Sequence, residues 1–168
     1  DDELAHAHGI RKYGFHGTSH SYVSQKVAEV LGRDYDSFNQ IVCHLGNGAS
    51  ISAIQRGMAG DTSMGLTPLA GLVMGTRSGD VDPGLHAFLG RVLDMDLNEV
   101  DALLNKKSGM LRLCGVTDFR DITDLINAGD QRARLAMDVY LHRLISYIGS
   151  YLAILGGVDA LTFTAGVG

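Results

Sequence analysis

Residues 41–54 read IVCHLGNGASISAI, and the fold turns on how this stretch is taken. It opens as an apolar, β-branched run and breaks at Gly46-Asn47-Gly48. It then resumes with Ala49, Ile51 and Ala53 at every second position, sharing one face. That pattern predicts strand, tight turn, strand. The Gly-Asn-Gly tip predicts a hairpin turn with positive φ. Without Cβ atoms there, backbone N–H groups can approach an anion, so the tip reads either as a plain hairpin or as a phosphate-binding turn. Two better-known phosphate loops do not fit. A Walker loop needs Gly-Lys, a pair the chain lacks. A Rossmann fingerprint needs Gly or Ala where Ile51 stands, and a helix where a strand pattern follows.

On the N-terminal side, Val23, Val27, Val30 and Leu31 form a helical apolar stripe, with Thr18 or Ser19 as N-cap and Gly32 as stop. On the C-terminal side a return strand is predicted near residues 58–64. Residues 60–84 form a long glycine-punctuated loop whose Met, Leu and Val residues require that it be packed. Asp82-Pro83 starts a helix running to about Asp94. Another runs from about Leu97 to Lys107, closed by Gly109. Residues 110–120 read as irregular. Asp121 caps a short helix, and Asp130 caps the longest one, to about Leu155. In that helix Met137, Leu141, Leu144, Ile145, Ile148, Leu152 and Leu155 fit one stripe, and the apolar character of the other faces predicts a place in the middle of a domain. Residues 159–164 read as a buried strand before the glycine turn AGVG. Strands and helices mixed in this way indicate an α/β layer architecture.

The chain of 168 residues is sized for one core, with 45% apolar and 20% charged residues. Its formal net charge of −5 argues against nucleic acid as a partner. No apolar run is long enough to span a bilayer, and no basic-then-apolar leader opens the chain, so the expectation is a cytoplasmic protein. Cys43 and Cys114 sit in apolar contexts without metal-ligand spacing and are expected as buried free thiols. The 22 glycines, about twice ordinary usage, gather in a few turns and point to backbone held close to a ligand. The start in DDELAHAHG and the stop at Gly168, directly after a strand, lead to the expectation of a piece of a longer protein.

Three segments combine glycine, hydroxyl and base: FHGTSH at 15–20, HLGNGAS at 44–50 and GTRSGD at 75–80. Phosphoryl transfer needs fixed donors that neutralise the moving group. Arg77, between glycines and hydroxyls, offers a guanidinium to a set of phosphate oxygens. His16 stands beside a glycine and Phe15. Each also has a plain reading: Arg77 as a surface ion pair, His16 as a core histidine, His44 as a strand histidine. Three such segments in one short chain weigh against coincidence.

YGFHGTSH, HLGNGAS, DTSMGLTPLAGLVMGTRSGDVDP, TDFRD and GGVDALTFTAGVG, in this order and spacing, resemble the acetate kinase family over essentially all of the chain. The resemblance implies an α/β, ribonuclease-H-like or actin-like ATPase fold, with a mixed sheet flanked by helices. It implies that residues 1–168 are most of the second, nucleotide-binding domain, incomplete at both ends. The implied reaction is reversible transfer of a phosphoryl group from ATP to acetate, giving acetyl phosphate and ADP, with Mg²⁺. A homodimer through this domain is also implied. Residue by residue, Arg77 and His16 match the groups on the transferring phosphoryl. His44, Leu45, Gly46, Asn47 and Gly48 match the phosphate turn and its strand. Asp118, Phe119 and Arg120 match one side of the adenosine pocket, and Gly166, Val167 and Gly168 the other. Phe15 and Pro68 match two walls of the acetate-methyl pocket.

Departures accompany the match. The family's first phosphate loop, its carboxylate-binding arginine, its catalytic aspartate and its magnesium-linked glutamate have no counterpart here, so no metal ligand is expected within this chain. The Glu-Asn that follows the last glycine loop in the family is likewise missing. Ala70 stands where the family has Glu, and Arg112 and Cys114 replace Gly and Ser. Arg112 is expected outside the site. On this account the chain alone is inactive. The rival readings are a propionate kinase, a non-catalytic nucleotide-binding domain of the same fold, and a structural interaction domain.

Overall fold

The computed structural model describes residues 2–168. A short helix, α1 (Asp2–His8), opens it and is followed by α2 (Gly17–Leu31). Strands β1 (Asn39–Leu45), β2 (Ala49–Gln55) and β3 (Met58–Thr62) come next. After a long loop come α3 (Gly84–Leu93), α4 (Leu97–Lys106), α5 (Gly109–Cys114), α6 (Phe119–Asn127) and α7 (Gln131–Leu155). Strand β4 (Ala160–Thr164) ends the described chain. The sheet order is β3-β2-β1-β4, with β1 antiparallel to β2 and parallel to β4. This is the mixed sheet flanked by helices that the sequence led us to expect.

The 41–54 stretch is the centre of that sheet. Leu45 still pairs with Ala49, so Gly46-Asn47-Gly48 is a three-residue connection. Strand alternation sorts the two faces. Ile41, Cys43, Leu45, Ala49, Ile51 and Ala53 belong to the main apolar cluster, against Tyr140, Leu144 and Tyr151 of α7. On the opposite face Gln40 donates to the Ser24 carbonyl of α2 at 3.2 Å, and Ser50 meets His20. One face of the sheet is therefore dry and packed, while the other carries polar groups to α2.

The hairpin tip departs from expectation: none of Gly46, Asn47 and Gly48 has positive φ. Close approach marks the glycines around the tip instead. A Cβ on Gly48 would stand 3.2 Å from Arg77 Nη1, and one on Gly75 would lie 1.8 Å from Asn47 Oδ1. Positive φ appears in the next turn, at Arg56 (48°) and Gly57 (78°), the two-residue link from β2 to β3.

Helix starts also differ. Neither Thr18 nor Ser19 caps α2; His16 does, at φ 60° and without a side-chain bond, while Ser19 Oγ turns to His44. Gly32 ends α2 in the left-handed conformation, as expected. Of its predicted stripe Val23 and Val27 are half-buried while Val30 (85%) and Leu31 are exposed, and the fully buried residues of the helix are His20, Ser24 and Ala28. Small residues at that four-residue spacing bring the helix close to the sheet. Asp82 caps α3 through Gly84 N–H, and Asp96 with Glu99 forms a capping box on α4.

Residues 109–114 are helical rather than irregular, and Gly109 (φ 61°) opens α5 rather than closing α4. Asp118, not Asp121, caps α6, since its carboxylate accepts from Arg120 N–H. Along α7 the packed line is Ala133, Ala136, Tyr140, Leu144, Tyr151 and Leu155. Leu141, Ile145 and Leu152 of the expected stripe are exposed in this chain, where α7 covers the sheet with one side. Strand β4 stands at the edge of the sheet formed by the described residues, and Leu161 and Phe163 are exposed there. Cys43 is buried, as expected, but Cys114 is only half-buried.

Candidate functional site

Register and helix geometry bring the three glycine–hydroxyl–base segments together. His44 pairs across the sheet with Ser50, and both face α2. The first turn of α2 then delivers His16, Ser19 and His20 to them. His16 and His44 stack, with ring centroids 4.1 Å apart and planes 19° from parallel. Ser19 Oγ lies 2.8 Å from His44 Nδ1. Ser50 Oγ lies 2.9 Å from His16 Nδ1 and 2.7 Å from His20 Nε2. His16 is held in a left-handed backbone conformation, one of the sparsely populated states that gather at functional sites.

Arg77 arrives from the long loop. No salt bridge reaches it among the described residues. Its Nη1 contacts the Pro68 carbonyl at 3.4 Å and the Met74 sulfur at 3.8 Å. The same Nη1, and Cε1 and Nε2 of His16 at 3.8 Å, converge on the place a Gly48 side chain would fill. The loop is fixed from behind. Gly109 packs so closely that a Cβ would be 2.1 Å from the Met74 carbonyl oxygen and 2.7 Å from that of Arg77. Met110 N–H donates to Met74 at 2.9 Å and Leu111 N–H to Gly75 at 2.8 Å. At its far end Asp80 accepts from Gly71 N–H at 2.7 Å, from the Tyr147 hydroxyl and from Arg143.

Positive character gathers around the Gly48 turn, and it is kept on arginine rather than on imidazole. Burial, then His44, then Arg77 lower the pKa of His16. Burial lowers that of His44. Burial, His44 and His16 bring His20 down to about 4. At neutral pH the three rings are uncharged donors and acceptors beside one permanent cation.

Beyond the turn lies a cleft of about 590 Å³ lined by Gly46, Asn47, Thr117, Asp118, Phe119, Arg120, Gly166 and Val167. It unites three of the five strings that carry the family resemblance, HLGNGAS, TDFRD and GGVDALTFTAGVG. Val167 N–H donates to the Leu45 carbonyl at 2.8 Å, tying the last loop to the hairpin. Asp118 is paired with Arg120, which holds its carboxyl at about 2. Gly168 does not line the cleft but packs on Thr164, where a Cβ would be 2.3 Å from its carbonyl oxygen. Phe15 lines a different cleft, with Tyr13, His20 and Tyr35, and Pro68 lines neither. Arg112 is exposed on α5 and does not line the 590 Å³ cleft. From the sequence no individual role in the site falls to Thr117, His20 or Ser50, and Ser19 is expected only as a helix cap. The signals were present: His16 and His20 are four apart on a helix, and Ser50 follows the glycine tip.

The sequence profile of the acetokinase family matches residues 1–168. The chain belongs to the acetokinase family. Among its relatives, an acetate kinase from Streptomyces griseus is 61% identical over 168 residues, covering 100% of this chain and 41% of that protein. An acetate kinase structure from Porphyromonas gingivalis superposes with a TM-score of 0.95 at 52% identity, over 98% of this chain and 42% of the other. A propionate kinase structure from Francisella tularensis does so with a TM-score of 0.95 at 48% identity, over 100% of this chain and 43% of the other. The chain thus has the acetokinase fold and spans about two fifths of the length of these relatives.

Proposed function

We propose that the intact protein carrying this chain is an acetate kinase, moving the γ-phosphoryl of ATP to acetate and back. Residues 1–168 would be most of its second, nucleotide-binding domain. The observation that carries this reading is the convergence of Arg77 and His16 on the bare Cα of Gly48, at one end of a nucleotide-sized cleft. Adenosine would lie along Asp118, Phe119 and Arg120 on one side and Gly166 and Val167 on the other. The phosphates would run over the Gly46-Asn47-Gly48 main chain. Arg77, which has no carboxylate partner among the described residues, would neutralise oxygens of the transferring group, and neutral His16 would donate a further hydrogen bond. Phe15 and Pro68 would border the acetate methyl once the rest of the protein closes the site. Family membership adds Mg²⁺ as the ion accompanying the nucleotide. No group of three or more His, Cys, Asp or Glu that could hold a metal occurs among the described residues, so no step is assigned to such a cage here.

Arg77→Ala in the intact protein is expected to lower kcat by about 10³-fold or more while ATP affinity stays within a few-fold. Near-normal turnover would remove Arg77 from this role. This chain by itself is expected to make no acetyl phosphate, since the carboxylate-binding arginine and the catalytic aspartate of the family pattern lie outside it. Propionate is the second candidate acceptor, because the propionate kinase fold match is as good as that to an acetate kinase. A panel of short carboxylates decides between them. A cytoplasmic homodimer is the assembly we propose, and no helix among the described residues is long and apolar enough to cross a membrane.

A further inference from the structure

We infer that Ser50 and His20 form a one-way hydrogen-bond relay that fixes the tautomer of His16, leaving its ring proton on Nε2 beside Arg77 and the Gly48 turn. The geometry of the relay stands by itself, while its catalytic consequence rests on the function proposed above. Ser50 Oγ lies between His16 Nδ1, at 2.9 Å, and His20 Nε2, at 2.7 Å. Ser50 is 0% exposed and His20 5%, so solvent does not compete for these bonds. A hydroxyl has one proton to give, and a neutral imidazole has one N–H and one lone pair. The pair of bonds can therefore run in either of two directions.

His20 decides between them. Among the described residues its buried Nδ1 has no hydrogen-bond partner. If the relay ran from His16 to Ser50 to His20, the His20 proton would sit on that nitrogen, as an orphaned buried donor. If it runs from His20 Nε2–H to Ser50 Oγ, and from Ser50 Oγ–H to His16 Nδ1, the orphan is only a lone pair. Buried unpaired N–H groups are rarer and costlier than under-used acceptors. A third arrangement, with both rings donating to Ser50, would leave the hydroxyl proton without an acceptor. The relay running towards His16 is the one that satisfies every proton. It presents His16 Nε2–H as a donor to a phosphoryl oxygen, where the reverse would present a lone pair. The stack on His44, itself held by Ser19, fixes the ring plane. Ser50 and His20 are positioning residues on this account, since they act through His16.

The test is nitrogen-15 NMR of the intact protein labelled at histidine, with the His16 ring assigned by its loss in His16→Gln. The expected result is an Nε2–H, Nδ1-unprotonated ring at His16 near neutral pH. An Nδ1–H ring would overturn the relay. Ser50→Ala should give a mixture of the two His16 tautomers and lower kcat by roughly 100-fold with little change in KM for ATP. A variant with the tautomer and kcat both unchanged would also overturn it. Full turnover in His16→Ala would count against the proposed function and leave the tautomer result standing.

Discussion

At the scale of single residues, the site works by keeping one charge and suppressing three. Arg77 has no carboxylate partner among the described residues, while His16, His20 and His44 are pushed toward the neutral form. His20 makes this measurable. Its folded pKa, about 4, is below the ordinary 6.5, so between those values the unfolded chain binds more protons than the folded one. Its effect is therefore a loss of stability as pH falls from about 6.5 toward 4, on the order of 2 kcal/mol after allowing for partial screening. Denaturant titrations of the intact protein from about pH 7 to about pH 4 should show that loss reduced in His20→Gln. An unchanged slope would mean that His20 is not held neutral. Arg77, His16 and Asn47 were legible because they belong to a motif string. Ser50 and His20 lie in the same segments, but their joint bond to His16 depends on strand register and helix phase, which spacing hints at without fixing.

At the scale of elements, the long 60–84 loop is a built part whose shape is set by what lies beneath it. Gly109 has a positive φ and almost touches the carbonyls of Met74 and Arg77. Gly109→Ala would strain α5 and push the Arg77 loop outward by a side chain's width. In the intact protein kcat is expected to drop about 100-fold, with a smaller change in ATP affinity. A Gly109→Ala enzyme with unaltered kcat would show that the loop is not templated by α5. Strand β1 was legible from its β-branched run, the turn from its glycines and β2 from alternation, as were the Gly32 stop and the Asp82 bond at the start of α3. The stripes of α2 and α7 were legible only in part, because hydrophobicity marks residues that avoid water but does not say which partner covers them. On α2 His20, Ser24 and Ala28 are buried, Val23 and Val27 half-buried and Val30 exposed; on α7 Met137, Leu144, Ile148 and Leu155 of the stripe pack with tyrosines and alanines, while Leu141, Ile145 and Leu152 do not. Short α5 was missed because its glycine start reads as a breaker.

At the scale of the whole molecule, the chain spans about two fifths of the length of its relatives, and on the function proposed above it would supply one wall of the site. The sheet's apolar face is sealed by α7, but β4, the valine side of α2 and the outer side of α7 leave large side chains uncovered. The central claim is that Arg77 and His16 grip the moving phosphoryl group together over the Gly48 turn. The most direct measurement is a crystal structure of the intact protein with ADP, Mg²⁺, acetate and a planar aluminium fluoride in place of the transferring group. The account predicts fluorides within about 3.2 Å of both the Arg77 guanidinium and His16 Nε2. A fluoride complex bound with either side chain turned away from the Gly48 turn would contradict it.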